Sequence, residues 1–167
     1  MTTSLDSPLR FVLRHPAHLL ALGGGVGLLP APGTWGTLLA LPLYWLLLAD
    51  LPIATQGVVW LVAAPVCVWA AGITAKHLGR ADPGAVVIDE IHAFIGMLIV
   101  LPSGYDWQLW AFLLFRALDI AKPPPIGTLD RRVGGGLGIM LDDWVAAAIG
   151  MFVLALIARI SGVVPAV

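Results

Sequence analysis

The sequence is poor in what a water-soluble domain carries on its outside. Only 11% of its 167 residues are charged, where an ordinary soluble domain has ~25%. With 59% hydrophobic residues and a mean hydropathy of +0.94, the chain has more apolar side chain than a domain of this size can bury. Much of its solvent is therefore expected to be lipid. Basic residues are not in surplus either: nine Lys/Arg stand against ten Asp/Glu, which excludes the electrostatic footprint of a nucleic-acid binder. The single cysteine, Cys67, sits in an apolar run, so neither a disulfide framework nor a thiolate metal cluster is expected. A secretory signal peptide is not expected. Arg10 and Arg14 precede an apolar stretch, but His18–Leu29 is short, rich in glycine, and followed by Pro30 and Pro32 instead of a small-residue cleavage site. Alternating apolar patterns are missing, which disfavours a β-barrel. So are internal repeats and low-complexity linkers, leaving one domain over 1–167 with 1–14 as an N-terminal tail.

What is present is a series of continuous apolar segments: Trp35–Ala49 (extended by Leu51–Ile53), Gly57–Ala75, Ile91–Leu101, Trp107–Leu118 and Trp144–Ile160. A helix needs ~20 apolar residues to cross the hydrocarbon. The second and last segments meet that length and the first nearly does. The third and fourth are shorter and are joined by the turn-forming Pro102-Ser103-Gly104-Tyr105-Asp106. They read as a helical hairpin that is tilted, or that sits where the bilayer is thinned or protein surrounds it. The expected fold is all-α: a multi-pass membrane helical bundle with about three full spans plus the short hairpin.

Arg10 and Arg14 place the N-terminus in the cytoplasm by the positive-inside rule. Counting crossings from there puts eight of the nine Lys/Arg on that side, all but Arg159. Eight of the ten acidic residues fall there too: Asp6, Asp82, Asp89, Glu90, Asp119, Asp130, Asp142 and Asp143. The positive-inside rule does not govern carboxylates, so their gathering on one face asks for another cause.

Four stretches on that face can carry chemistry. Gly23–Thr37 is rich in glycine and leads into a membrane helix, with Thr34 a candidate N-cap. Such a turn offers free N–H groups to a phosphate, or it is only a flexible interfacial loop. Asp82–His92 has Asp82-Pro83 as a candidate helix start and the pair Asp89-Glu90 beside an apolar segment. Adjacent carboxylates next to lipid are costly unless a cation or a basic residue neutralises them. His92 shares a helical face with Asp89, although a lone histidine is more often structural than a ligand. In Phe115–Ile126, Arg116, Asp119 and Lys122 are spaced by three on a helix that prolines terminate. They form either a salt-bridge ladder or a metal ligand flanked by two phosphate-binding groups. Asp130–Trp144 joins Arg131 and Arg132 to a second glycine-rich turn and the pair Asp142-Asp143. One Asp would suffice as a helix cap, and here there are two. Hard oxygen ligands without cysteine suit Mg²⁺, and the neighbouring Arg, Lys and glycine turns suit a phosphate. The residues alone give metal-dependent chemistry on a phosphate at the cytoplasmic interface.

These stretches, in this order, resemble the phosphatidylglycerophosphatase A family. The resemblance rests on Pro30-Ala31-Pro32-Gly33-Thr34-Trp35-Gly36-Thr37, on Asp82-Pro83-Gly84 through Asp89-Glu90, on Phe115-Arg116-Ala117-Leu118-Asp119 with Lys122-Pro123, and on Pro125-Ile126 through Leu129-Asp130-Arg131 to Gly135–Met140 and Asp142-Asp143. It covers roughly residues 15–160, beginning with His15-Pro16-Ala17-His18-Leu19-Leu20. There are departures. His92-Ala93 stands where the family usually has a small or aliphatic residue followed by glycine. Ala121 and Pro124 replace aromatics often found near Lys122, and Gly134 replaces a histidine common in the glycine-rich turn. None removes a carboxylate.

The resemblance implies Mg²⁺-dependent hydrolysis of phosphatidylglycerophosphate to phosphatidylglycerol and phosphate in a bacterial inner membrane. The phospholipid substrate and membrane lipids would be the partners, and the active site would lie at the cytoplasmic helix ends. Asp89, Glu90, Asp142 and Asp143 are the expected metal ligands, and Asp89, Glu90, Asp119 and Asp143 the expected catalytic groups. Thr34, Arg116, Lys122 and Arg131 are expected to hold the phosphate, with Asp130 a further candidate at the metal. Two rivals stand beside this reading. One is a phosphatidyl transferase using carboxylate-bound Mg²⁺, whose Asp-Gly…Ala-Arg…Gly…Asp…Asp pattern is not found. The other is a small membrane cation transporter, which would want its ionisable residues near mid-bilayer.

Overall fold

The computed structural model describes residues 8–102, 104–123 and 133–162. Among them there are only helices: α1 (Pro8–Leu13), α2 (Pro16–Ala21), a 3-10 segment (Gly23–Leu28), α3 (Pro32–Leu47), α4 (Ile53–Leu78), α5 (Ile88–Val100), α6 (Tyr105–Ala121) and α7 (Gly135–Ile160). Two of them, α4 and α7, each of 26 residues, are long and apolar enough to cross a membrane. The expected third span, α3, has 16 residues, about 24 Å at ~1.5 Å per residue.

The outside of the bundle is apolar. Leu46 on α3, Leu61 and Val62 on α4, and Phe152 and Ile160 on α7 are all exposed, a surface suited to lipid and costly in water. The inside is made of small residues, among them Ala40, Ala70, Ala71, Ala93, Ala111, Ala146 and Ala147. Small side chains let helix backbones approach closely, which is how helices associate where lipid removes the usual hydrophobic drive.

The short α5 is the centre of the bundle. It packs against α3, α4, α6 and α7, and its Phe94 and Met97 are fully buried. Eight of its 13 residues are buried, so protein surrounds most of this short helix. α3, α5 and α7 begin, and α4 and α6 finish, at a common end, where Gly33, Glu90 and Arg116 meet and Gly72 faces Gly136. At the opposite end the rings of Trp45 and Tyr105 lie 6.1 Å apart.

Three local expectations are corrected. Thr34 is not the cap of α3: Ala31, left-handed at φ 54°, holds that position and Pro32 opens the helix, since proline's fixed φ suits a first helical turn. Asp82-Pro83 does not start a helix. The amide of Val87 donates to Ala21 O over 2.8 Å and that of Val86 to Pro83 O over 2.9 Å, so this backbone is used against α2 and in a turn, and α5 starts only at Ile88. The last helix begins nine residues before Trp144, so Asp142 and Asp143 lie about two turns inside α7 and not at its start.

The second glycine-rich stretch is likewise a packing device. A β-carbon on Gly136 would collide with Val68 O and stand 2.7 Å from Gly72 N, backbone against backbone. Rotamer changes cannot relieve such a clash, so Gly136→Val should destabilise the α4–α7 crossing by about 2–3 kcal/mol, the upper range of overpacking costs. Thermal unfolding in detergent checks this, and an unchanged midpoint would refute the crossing.

Candidate active site

Each helix brings its polar residue to the common end for a local reason. Asp89 and Glu90 occupy the first turn of α5, where the helix dipole favours carboxylates. Arg116 and Asp119 lie three apart near the end of α6 and pair at 2.5 Å. Lys122 caps α6 in a left-handed conformation, φ 40°, which a non-glycine residue adopts at a cost and which is common beside functional sites. Asp142 and Asp143 come from α7, where successive side chains point ~100° apart, and they part accordingly. Asp142 accepts from Lys122 Nζ at 2.5 Å, while Asp143 turns to the α5 pair.

The result is a buried carboxylate cluster. Asp89, Glu90 and Asp143 each offer an oxygen within 4.8 Å of the others'. Asp89 Oδ1, Glu90 Oε2 and Asp143 Oδ2 are buried without a hydrogen-bond partner, a state that costs free energy unless something else satisfies it. Arg116 Nη1 stands 3.7 Å from Glu90 Oε1, and its Nε is also buried without a partner. Burial, followed by the charges of Glu90 and Asp143, pushes the Asp89 carboxyl well above the usual carboxylate range. Burial also raises Glu90, to about 7; Asp119 adds to the rise, and the Asp89 hydrogen bond and Arg116 oppose it. Among the described residues, five carboxylates here (Asp89, Glu90, Asp119, Asp142, Asp143) face two cations, Arg116 and Lys122. Bare oxygens, excess negative charge and an all-oxygen donor set fit a hard divalent cation that keeps some of its waters.

Most of the residues singled out from the sequence meet here. Asp89, Glu90 and Asp143 converge, Asp119 and Arg116 pair at their edge, and Lys122 stands with Asp142 beside them. Thr34 lies in the first turn of α3. Its neighbour Gly33 makes the contact: a β-carbon there would collide with Glu90 Oε1 and come within 3.0 Å of both terminal nitrogens of Arg116. Sequence reasoning placed Gly33 in a phosphate-presenting turn without assigning it this contact, and only the helix starting at Pro32 puts it against Glu90. Arg131 and Asp130 lie outside the described residues.

The family model described as Phosphatidylglycerophosphatase A matches residues 19–158. The chain is 44% identical to Phosphatidylglycerophosphatase A of Escherichia coli (strain K12), over 87% of this chain and 85% of that one. It is 40% identical to the Haemophilus influenzae protein of the same name, over 89% and 93% respectively. A third relative, from Bacteroides thetaiotaomicron and provisionally named a phosphatidylinositol-3-phosphatase, is 36% identical over 84% of this chain and 92% of its own length. No solved structure matches the chain. With its characteristic stretches in order and the family model running through nearly all of the helical bundle, the chain belongs to the phosphatidylglycerophosphatase A family.

Proposed function

We propose that this chain hydrolyses the phosphomonoester of phosphatidylglycerophosphate, giving phosphatidylglycerol and inorganic phosphate, with Mg²⁺ held by Asp89, Glu90 and Asp143. The observation that carries the proposal is the convergence of three carboxylates beside Arg116, each with a buried oxygen that has no hydrogen-bond partner. A bound Mg²⁺ supplies electrophilic stabilisation of the phosphoryl oxygens and of the charge that develops in the transition state.

The remaining work falls to the chain. Arg116, oriented by Asp119, presents its fork to the phosphate oxygens. Lys122, held by Asp142, adds a second positive charge, and Arg131 is kept as a further phosphate ligand on the strength of the sequence resemblance alone. A water oxygen bonds to phosphorus as the bond to the glycerol oxygen breaks. One carboxylate of the cluster takes the water's proton, and a proton returns to the departing glycerol oxygen. Asp119 and Asp142 form the 2.5 Å pairs with Arg116 and Lys122, so the base is sought among Asp89, Glu90 and Asp143, each of which has a buried oxygen without a hydrogen-bond partner.

In the membrane, α4 and α7 cross fully, α3 makes a shorter third span, and α5 with α6 forms the hairpin. The clustered end faces the cytoplasm of a bacterial inner membrane. This arrangement follows the charge distribution of the sequence, with eight of nine Lys/Arg on that side.

The test is phosphate release by the purified protein in lipid–detergent micelles, with Mg²⁺ or EDTA, from phosphatidylglycerophosphate and in parallel from phosphatidylinositol 3-phosphate. Release from the first lipid, abolished by EDTA, is expected. Equal release in EDTA would remove the metal from the proposal. No release from either lipid by folded protein would overturn the phosphatase reading. The same assay in inverted and right-side-out vesicles reads the side: only inverted vesicles should turn over substrate supplied from outside.

A further inference from the structure

Next to the cluster, His92 is a buried polar side chain that the proposed reaction does not use. It lies in the second turn of α5, three residues after Asp89 and on its face, and is 4% exposed. Its ring is fully engaged. Nδ1 accepts a hydrogen bond from Trp144 Nε1 at 2.9 Å, and Nε2 stands 3.0 Å from the carbonyl of Trp60. The indole N–H of Trp60 in turn donates to His92 O at 2.8 Å, and its ring stacks on the imidazole with centroids 4.6 Å apart.

These partners fix the tautomer. An indole N–H can only donate, so Nδ1 carries the lone pair. A carbonyl can only accept, so Nε2 carries the hydrogen. Histidine in this state has no free nitrogen, which removes it as a metal ligand and as a proton acceptor while the network holds. What it does instead is join three helices at one point: α4 through Trp60, α5 through its own backbone, and α7 through Trp144. Trp144 adjoins Asp143, and His92 is one helical turn from Asp89. The network therefore spans the two helices whose carboxylates must meet, three residues from Asp89 on α5 and one from Asp143 on α7.

We propose that His92 is a positioning residue, which through Trp144 sets where Asp143 of α7 stands relative to Asp89 of α5. The proposal rests on the reading of Asp89, Glu90 and Asp143 as a divalent-cation site. Partners that orient metal ligands typically contribute ~10–100-fold in metal affinity, and that is the size of effect expected. The two nitrogens have separable roles. Asn can place an oxygen near Nδ1 and keep the bond from Trp144, whereas Phe fills the space and keeps neither bond.

The experiment measures Mn²⁺ binding to the detergent-solubilised full chain by electron paramagnetic resonance, together with the Mg²⁺ concentration for half-maximal phosphate release and the thermal midpoint. His92→Phe and Trp144→Phe should each weaken Mn²⁺ binding and raise the Mg²⁺ requirement by ~10-fold or more. The double variant should be no worse than either single one, because both remove the same link. His92→Asn should recover most of the affinity. A role in stability alone would lower the thermal midpoint without moving the Mg²⁺ requirement of the folded fraction. Unchanged Mn²⁺ affinity in Trp144→Phe, or single effects that multiply in the double variant, would overturn the proposal. Should His92→Phe not fold, Trp144→Phe and His92→Asn still decide it. A wild-type chain that hydrolyses lipid but binds no Mn²⁺ would sink the cation-site reading and this inference with it. Wild type that binds Mn²⁺ more tightly than Trp144→Phe, yet releases no phosphate, would uphold the inference and sink the phosphatase.

Discussion

Asp143→Asn should lower phosphate release by on the order of a thousandfold, because electrostatic stabilisation by a metal is worth several kcal/mol and each ~1.4 kcal/mol is a factor of ten in rate. The same substitution should leave the metal-free protein as stable as before, or more so. Asp143 is 3% exposed, its Oδ2 has no hydrogen-bond partner, and two other carboxylates converge on it. Replacing such a group with a neutral amide relieves repulsion and desolvation together. Mg²⁺ should raise the thermal midpoint of the wild type, since a ligand that binds only the folded state stabilises it, and should leave that of the variant almost unmoved. The opposite pattern, a large fall in the metal-free midpoint, would mean that the cluster holds the bundle together and would count against a binding site.

Gly33→Ala should reduce turnover by ~100-fold, the loss that a displacement of about 1 Å at a reacting site can cause. The added methyl collides with Glu90 Oε1 and crowds the terminal nitrogens of Arg116. All three atoms end flexible side chains, so they can retreat at little cost to stability. What they cannot do is retreat and still converge with Asp89 and Asp143. Gly36→Ala, one turn further along α3, provides the contrast: its methyl would meet Val87 Cβ at 2.8 Å and the Val87 carbonyl at 3.2 Å. That obstacle includes backbone and lies outside the cluster. Gly36→Ala should therefore lower the thermal midpoint more than Gly33→Ala does, and turnover per folded molecule less. Full activity in Gly33→Ala would remove the start of α3 from the site.

Much of this site was legible in the sequence because a membrane makes buried charge conspicuous. Asp89-Glu90 beside an apolar run, Asp142-Asp143 at the entry to another, and the spacing of Arg116, Asp119 and Lys122 needed no structure to be noticed. The pairing of Arg116 with Asp119 follows from that spacing. Less legible was how the carboxylates are shared out. That Asp142 is taken by Lys122, 20 residues away, while Asp143 joins the α5 pair, depends on the rotation of α7 about its axis, and apolar composition all round a helix carries little information about rotation. Helix starts were misjudged for a related reason. Apolar runs mark where lipid or core begins, but the helix of α7 starts nine residues earlier, because its glycines allow close packing on α4 before the apolar run begins. Trp60 had no signal at all: its part in the network depends on a contact with His92 across 32 residues.

The depth of the acidic pair within α7 also bears on the order in which a growing chain can be assembled. From Trp144 to Ile160 the helix measures about 25 Å at ~1.5 Å per residue, close to a hydrocarbon thickness by itself. In the arrangement proposed above, this stretch can partition into the bilayer while the two preceding turns, with Asp142 and Asp143, stay in water, where ionised carboxylates cost nothing. Shelter comes only when those turns dock on α4 and α5, and by then Lys122 and Arg116, synthesised earlier, are already in place to receive them. The final helix therefore need not carry bare charge through lipid, and a nascent chain interrupted before residue 143 lacks the third carboxylate that would close the site.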